Sequence, residues 1–234
     1  MGLSLIIVVV LVAIAIIRGG DHWPVRPWFL PSGSLKLEIA PESRENKLPS
    51  SGPGTFLYDG TTGPVLGDGG PLKRFDLAVE SNLAPDLGEL SRLTDATLAD
   101  RRGWAFGKQQ QFQRVPKESE ADLTIALVTR ETAYRLCAEV GLDIRESGIP
   151  YTSCQANGWV VLNLDRWRLS TPDYGRSGTP LLTYRQYVIN HEVGHRLGYD
   201  HEQCPGEGQL APIMQQQTLG LDGCLANPWP HPTA

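Results

Sequence analysis

The pattern of apolar and polar positions divides the chain into three parts with different properties. Residues 1–17 carry no charged side chain, and as a helix they would approach the thickness of a bilayer core. The next stretch contains six prolines and little periodic patterning, whereas strand-like and helical patterns alternate from residue 56 onward. The chain is therefore predicted to comprise a transmembrane anchor or signal peptide at 1–18, a Pro-rich linker at 19–55 and one folded domain at 56–234.

Within the predicted domain, apolar positions recur with two different periods. Alternation at 74–80 is typical of a half-buried strand. Further strands are predicted at 110–115, 121–128, 151–154 and 159–164. The last two are joined across Asn157-Gly158, a dipeptide that favours a hairpin turn. Helices are predicted at 85–99 and at 131–140, and the mixture of elements predicts an α+β fold with a mixed sheet.

A further helix is predicted to begin at Tyr184. Thr183 and Gln186 have the spacing of a capping box, in which each side chain binds a free backbone N–H of the first turn. The preceding residues, 168–182, are predicted to form a long loop. Apolar residues recur every four positions along the helix and predict a core-facing stripe of Ile189, Val193 and Leu197.

The stretch HEVGHRLGYDH places three of the chain's five histidines on this helix or just after it. His191 and His195 lie one helical turn apart, a spacing at which two imidazoles can bind one Zn²⁺. Glu192 faces the same cleft, and Gly198 lets the chain turn so that His201 can supply a third ligand. Three protein ligands leave the fourth position open for water, which is the arrangement of a catalytic zinc site.

The motif HExxHxxGxxH is complete in this stretch, and the sequence resembles the metzincin family of zinc metalloproteases. The resemblance implies a zincin-like domain with a mixed sheet, an active-site helix and a small C-terminal subdomain, preceded here by an N-terminal membrane helix. Metzincins have a methionine-bearing turn beneath the zinc, and Met214 is assigned to it. From about Arg74 onward, NHEVGHRLGYDHEQCPG, PIMQQQT and LDGCLANPWP are similar to a family of uncharacterised, membrane-anchored or secreted actinobacterial proteins.

The metzincin resemblance implies a role for each residue of the motif. Zinc held by the three histidines would lower the pKa of its bound water, and Glu192 would take the proton as the water attacks a peptide carbonyl. A peptide substrate would lie along an edge strand, for which the 151–164 hairpin is the candidate. Some metzincins have a tyrosine shortly after the methionine, where this sequence has Gln215, Gln216 and Gln217.

Four cysteines lie in the predicted domain: Cys137, Cys154, Cys204 and Cys224. An even number behind an export-type N-terminus predicts two disulfides, with three pairings possible. Pairing each cysteine with its neighbour in sequence would close two loops of roughly 20 residues. As an alternative, Cys204 could bind the zinc as a fourth ligand, which would make the site structural or latent.

Net charge and the N-terminus indicate which partners to expect. The formal net charge of -5 gives no basic surface for nucleic acid, so that class of partner is excluded. The apolar N-terminus predicts a single-pass protein of the cell membrane with its domain outside the cytoplasm, or a secreted protein if the segment is cleaved.

Two functions are compatible with these patterns. The first is a zinc-dependent endopeptidase acting on a peptide or protein substrate. The second is a non-catalytic, zinc-stabilised binding or scaffold domain of the cell envelope. Glu192 favours the endopeptidase, because a purely structural site has no use for a general base between its ligands.

Overall fold

A mixed sheet of seven strands forms the centre of the fold in the computed structural model, which describes residues 48–234. The strands are β1 (Phe56–Tyr58), β2 (Val65–Leu66), β3 (Leu72–Glu80), β4 (Gln111–Arg114), β5 (Leu123–Val128), β8 (Cys154–Ala156) and β9 (Trp159–Asn163), and a separate hairpin contains β6 (Arg145–Glu146) and β7 (Ile149–Pro150). The helices are α1 (Leu87–Ala99), α2 (Arg130–Ala138), α3 (Leu164–Leu169), α4 (Pro172–Arg176) and α5 (Leu181–Arg196).

The strand order is β2-β4-β3-β5-β9-β8, and β1 pairs with the second half of β3. The central strands β4, β3, β5 and β9 run parallel, whereas β8 is antiparallel to β9 and forms one edge. Central parallel strands are covered on both faces, which explains the nearly continuous burial of β5 and of the second half of β3. The predicted α+β class with a mixed sheet is confirmed.

The two faces of the sheet carry different cores. Because successive side chains of a strand point to opposite faces, Phe75 and Leu77 pack with α1 and α5, whereas Ala78 packs with α2 on the other face. The larger core includes Ile189 and Val193 of α5, and Leu197 packs against its rim. The predicted apolar stripe of this helix is therefore confirmed, and it fixes the helix against the sheet.

Several predicted elements agree with the structure and three do not. The strand predicted at 151–154 shares only Cys154 with β8, which extends to Ala156. The hairpin turn has positive φ at both Asn157 and Gly158, +48° and +83°, as expected for that dipeptide. The predicted capping box is wrong, because α5 begins at Leu181 after Pro180, and no side chain caps it. The predicted 168–182 loop is also wrong, since it contains the end of α3 and all of α4, whose first turn is capped by Thr171.

Residues 48–55 contact the folded domain, although the sequence pattern assigns them to the linker. Leu48 packs against the larger core, and the Ser50 carbonyl accepts a hydrogen bond of 3.0 Å from the Glu131 backbone N–H. The Gly54 N–H donates to Oε1 of Glu80 at 2.8 Å. These contacts tie irregular backbone to the buried carboxylate of Glu80 and to the N-terminus of α2. Contacts of this kind leave no periodic pattern of apolar residues in the sequence.

Two disulfides cross-link the domain, Cys137–Cys154 and Cys204–Cys224. This is one of the three pairings that the sequence allows. The first bridge joins α2 to the edge strand β8, and the second joins two segments of the irregular chain that follows α5. Both bridges therefore lie on elements that border the histidine-bearing helix or its continuation.

The predicted anchor at 1–18 and most of the predicted linker lie outside the described residues. Among helices within 48–234, none is long and apolar enough to cross a membrane.

Candidate metal centre

Helix α5 and the turn after it bring the three predicted histidines together. His191 and His195 lie one turn apart near the end of α5. Gly198 then takes φ +96°, a left-handed conformation that glycine adopts without strain, and the Tyr199 N–H bonds back to the Gly194 carbonyl at 3.0 Å. The chain reverses at this point, and His201 consequently faces the helix.

The donor atoms of the three imidazoles fit a single metal ion. One ring nitrogen from each of His191, His195 and His201 lies within 4.8 Å of the other two, and Nε2 of His195 is 3.0 Å from Nε2 of His201. Two nitrogens bound tetrahedrally to one zinc at about 2.0 to 2.1 Å would be separated by roughly 3.3 Å. This group of histidines can therefore hold a metal ion.

Backbone carbonyls select the tautomer of two of the rings. Nδ1 of His191 lies 2.9 Å from the Ile213 carbonyl, and Nδ1 of His195 lies 2.9 Å from the Tyr199 carbonyl. Because a carbonyl oxygen only accepts, both Nδ1 atoms must carry the proton, and in a neutral ring the lone pair is then on Nε2. The rings are thus oriented with their free electron pairs toward the shared space.

Burial favours the neutral, metal-binding form of His191 and His201. Burial is the main cause that lowers the pKa of His191 to about 3, and it also lowers the pKa of His201, with a further contribution from His195. Neutral imidazole is the form that binds metal, so at His191 no proton has to be displaced near neutral pH.

Glu192 is a buried carboxylate with an unsatisfied oxygen. Its side chain is 4% exposed, and within residues 48–234 its Oε2 has no hydrogen-bond partner. Burial raises the pKa of Glu192 to about 8. A cation held by the neighbouring imidazoles would favour the carboxylate and lower this pKa. The group is therefore placed to accept and release a proton.

Met214 lies directly against α5 at the position of Gly194. A Cβ added to Gly194 would come within 2.5 Å of Met214 Sδ and 2.7 Å of the Trp104 ring. Met214 is 2% exposed, and the neighbouring Ile213 carbonyl binds His191. The glycine thus permits the contact between the helix and the segment beneath it that the sequence assigned to a methionine turn.

Buried polar side chains hold the segment after Met214. The Tyr187 hydroxyl donates to the Gln215 carbonyl at 3.0 Å, and the Tyr174 hydroxyl donates to Oε1 of Gln217 at 2.7 Å. The Gln217 amide in turn donates to the Asn227 carbonyl at 2.8 Å. The network fixes the backbone that packs against His191. Gln215 and Gln217 are buried in it, and Gln216 between them is exposed.

The histidines open into a cleft of about 460 Å³. One wall comes from the edge strand β8 and the residues before it, including Thr152 and Gln155. Leu142, 45% exposed, and Leu219, 50% exposed, also line the cleft and add apolar surface. The site is thus an open cleft beside the edge strand of the sheet.

The alternative ligands differ in their surroundings. Cys204 is bonded to Cys224, so its thiolate is not free to bind a metal, and the predicted alternative of a closed site does not fit this structure. Asp200 is exposed and lines the cleft beside His201. Gln155 of β8 also lines the cleft, and no sequence pattern predicted this position for it.

Sequence reasoning also missed other parts of the cleft. Leu142, Asp143, Thr218 and Leu219 line it, although no motif marks them. The last two could have been found from their position soon after Met214, since the turn beneath the histidines has to continue along the cleft. No local signal exists for Leu142 and Asp143, because the fold brings them there from the end of α2.

The described residues thus form an α+β domain with a three-histidine centre in an open cleft. Residues 43–227 match the family described as Protein of unknown function (DUF3152), and the chain belongs to this family. Neither the curated proteins nor the solved structures gave a match. The resemblance to metzincins therefore stays a prediction.

Proposed function

We propose that this protein is a zinc-dependent endopeptidase. The observation that carries the proposal is Glu192, a buried carboxylate with a free oxygen beside the three histidines in an open cleft. A buried carboxylate without a donor is costly to keep, and this one directly follows His191 and lines the same cleft as the three histidines. A structural metal centre requires no such group.

The donor set supports zinc as the metal. His191, His195 and His201 would hold it through imidazole nitrogens, which suit zinc and other late transition metals, whereas Ca²⁺ and Mg²⁺ select oxygen ligands. When bound, zinc would supply a Lewis acid that acidifies a water and polarises the substrate carbonyl. The hydrogen bonds from Nδ1 to backbone carbonyls orient two of the rings for this role.

Glu192 and the edge strand would perform the remaining tasks. Glu192 takes a proton from the attacking water and delivers it to the nitrogen of the leaving amine. The peptide lies in the cleft along β8, which pairs only with β9 among the described strands. Its other edge can then add a further strand by backbone hydrogen bonds. Extended pairing would set the scissile carbonyl beside the histidines.

The two disulfides support a location outside the cytoplasm, since such bonds persist in oxidising compartments. With the predicted N-terminal anchor or signal peptide, the domain would act at the outer face of the cell membrane or as a secreted enzyme.

Metal analysis and peptide hydrolysis test this proposal together. The full chain, purified with its disulfides intact, is expected to bind about one zinc per chain and to cleave members of a mixed peptide library. Cobalt substitution should give a visible spectrum without thiolate charge-transfer bands, because both nearby cysteines are bridged. A zinc-loaded chain that cleaves no peptide would favour the non-catalytic scaffold, and a chain that binds no zinc would contradict both functions.

A further inference from the structure

A smaller cavity of about 230 Å³ adjoins the cleft, and we call it the side pocket. The cleft and the side pocket share two lining residues, Gln216 and Leu219. The side pocket is otherwise polar and is lined chiefly by Glu202, Gln203, Gln215 and Asp222. The side pocket therefore lies next to the position of a peptide bound in the cleft.

The side pocket presents hydrogen-bond acceptors. Glu202 and Asp222 contribute two carboxylates. Gln215 is 3% exposed, and among the described residues its Oε1 has no hydrogen-bond partner. Its amide nitrogen donates to the carbonyls of Gly220 and Leu221, which rules out the flipped amide and leaves the oxygen as the free group. A buried acceptor of this kind requires a donor.

The charge around both cavities has one sign. Within 48–234, no Lys or Arg side chain lines either the cleft or the side pocket. Of the carboxylates in the cleft, Asp143 is paired with Arg145 at 2.8 Å, whereas Glu192 and Asp200 have no ion-pair partner in the described chain. The side pocket adds the carboxylates of Glu202 and Asp222 to this negative charge, which attracts cations.

The backbone that carries the two carboxylates is held in place. The Glu202 N–H donates to the Met214 carbonyl at 3.1 Å. The Cys204–Cys224 bridge links the chain two residues after Glu202 to the chain two residues after Asp222. The pocket is therefore preformed, which reduces the entropy lost on binding.

We infer that the side pocket binds a cationic side chain, lysine or arginine, of a peptide that lies in the cleft. The inference rests on the proposed function, because it treats the cleft as the place of the peptide. A guanidinium or ammonium group carries a positive charge and supplies several donors, which suit the acceptors that line the side pocket. The protein would then select substrates with a basic residue near the cleaved bond.

Binding and hydrolysis of matched peptides test the inference separately from the proposed function. One peptide set carries arginine at each position in turn, and its partner set carries citrulline, which has nearly the same shape without the charge. Binding is measured by calorimetry on the zinc-loaded full chain with Glu192→Gln, so that no peptide is consumed. At the best position, the arginine peptide is expected to bind about tenfold more tightly, since exposed charge pairs contribute roughly twofold to fivefold each.

Two double variants in the same background locate the effect. Glu202→Gln/Asp222→Asn should abolish the preference for arginine, and Asn is suited to the positive φ of +50° at position 222. Glu118→Gln/Glu120→Gln removes the same charge from exposed sites outside both cavities and should keep the preference. Equal binding of the two peptides, no binding of either, or a preference that survives in the first double variant would contradict the inference.

The remaining outcomes are also distinct. Calcium binding that depends on Glu202 and Asp222, without a preference among peptides, would identify an ion site and overturn the inference. Hydrolysis of both sets by the wild-type chain at equal rates would contradict the side pocket alone. If arginine peptides bind selectively and none is cleaved, the pocket stands and the proposed peptidase does not.

Discussion

Two glutamates of this domain are almost completely buried, and their surroundings differ. Glu80, at the end of β3, is 0% exposed and accepts hydrogen bonds from the Gly54 N–H, the Thr129 N–H and the hydroxyls of Thr129 and Thr132. Glu192, on α5, is 4% exposed, and in the described part of the chain its Oε2 has no partner. One carboxylate is surrounded by donors, and the other has an oxygen that no described residue satisfies.

The difference separates an acid that is fixed in its charged form from one that can take up a proton. Burial raises the pKa of both groups, but at Glu80 the four hydrogen bonds outweigh it and the pKa falls below its ordinary value. At Glu192 no such bonds oppose burial, and the pKa rises to about 8. Donors fix a carboxylate in its charged form, whereas an unpartnered one remains able to take up a proton.

Replacing Glu192 by glutamine should have the largest effect. Glu192→Gln keeps the shape and removes the base, so hydrolysis should fall by about 10³-fold, within the usual range for general-base catalysis. Zinc content should be unchanged, because Glu192 does not bind the metal. The free energy of unfolding should not fall and should rise near neutral pH, because the neutral amide removes a buried carboxylate that has no donor. The measurements are peptide turnover, metal analysis and chemical denaturation, and unchanged turnover would remove Glu192 from the mechanism.

The same substitution at Glu80 should have the opposite result. Glu80→Gln leaves at least one buried donor facing an amide NH₂, and the free energy of unfolding should fall by about 2 to 3 kcal/mol. Turnover and zinc content per folded molecule should stay at wild-type values. Denaturation in urea measures the loss, and Glu118→Gln, at an exposed position, serves as the control with a change below about 0.5 kcal/mol. Loss of zinc from the folded Glu80→Gln variant would show that Glu80 is not purely structural, and the contrast with Glu192 would be wrong.

The contact beneath the helix that bears Glu192 can be tested with alanine. Gly194→Ala places a methyl group 2.5 Å from Met214 Sδ, so the helix or the segment beneath it must shift, at a cost of about 1 to 3 kcal/mol. Metal affinity should fall as well, since the Ile213 carbonyl positions His191. Competition with a chelator measures the affinity.

Gly88→Ala is the matched control for this substitution. Gly88 lies in α1 with nothing within 4 Å of an added Cβ, and alanine there should stabilise the helix slightly. Wild-type stability and wild-type metal affinity in Gly194→Ala would show that Met214 does not constrain the histidine-bearing helix.

Local periodicity explains which features of the surroundings of Glu192 and Glu80 could be predicted from the sequence. The spacing of His191, Glu192 and His195 follows from one helical turn, and a glycine stop allows His201 to return. The alternation at 74–80 likewise identified a strand that ends at Glu80, but its prediction as half-buried is wrong, because 75–80 are buried on both faces of the sheet. Both predictions depend on residues close together in sequence, where backbone geometry alone fixes the arrangement.

Contacts between distant residues could not be predicted in the same way. The Thr129 and Thr132 donors to Glu80 lie 49 and 52 residues away in sequence, and only the parallel pairing of β3 with β5 brings them together. The helix start was missed for a related reason. Thr183 and Gln186 satisfy a local capping rule, but Pro180 already begins the helix one turn earlier.

Lowering the pH should reduce the contribution of Glu80 to the free energy of unfolding. This effect is smaller than those of the substitutions above. The pKa of Glu80 is lower in the fold than its ordinary value of 4.5, so the folded state binds fewer protons than the unfolded state around that pH. The stabilisation from Glu80 is therefore complete above about pH 5.5 and is lost as the pH falls through 4.5 toward the folded pKa. Glu80→Gln has no such group, and its deficit relative to wild type should narrow over this range. Urea denaturation at pH 7, 5, 4 and 3 measures the deficit. A loss of stability in Glu80→Gln that stays the same at every pH would mean that the threonine and glycine donors do not favour the charged form of Glu80. Glu80 and Glu192 would then differ only in their access to solvent.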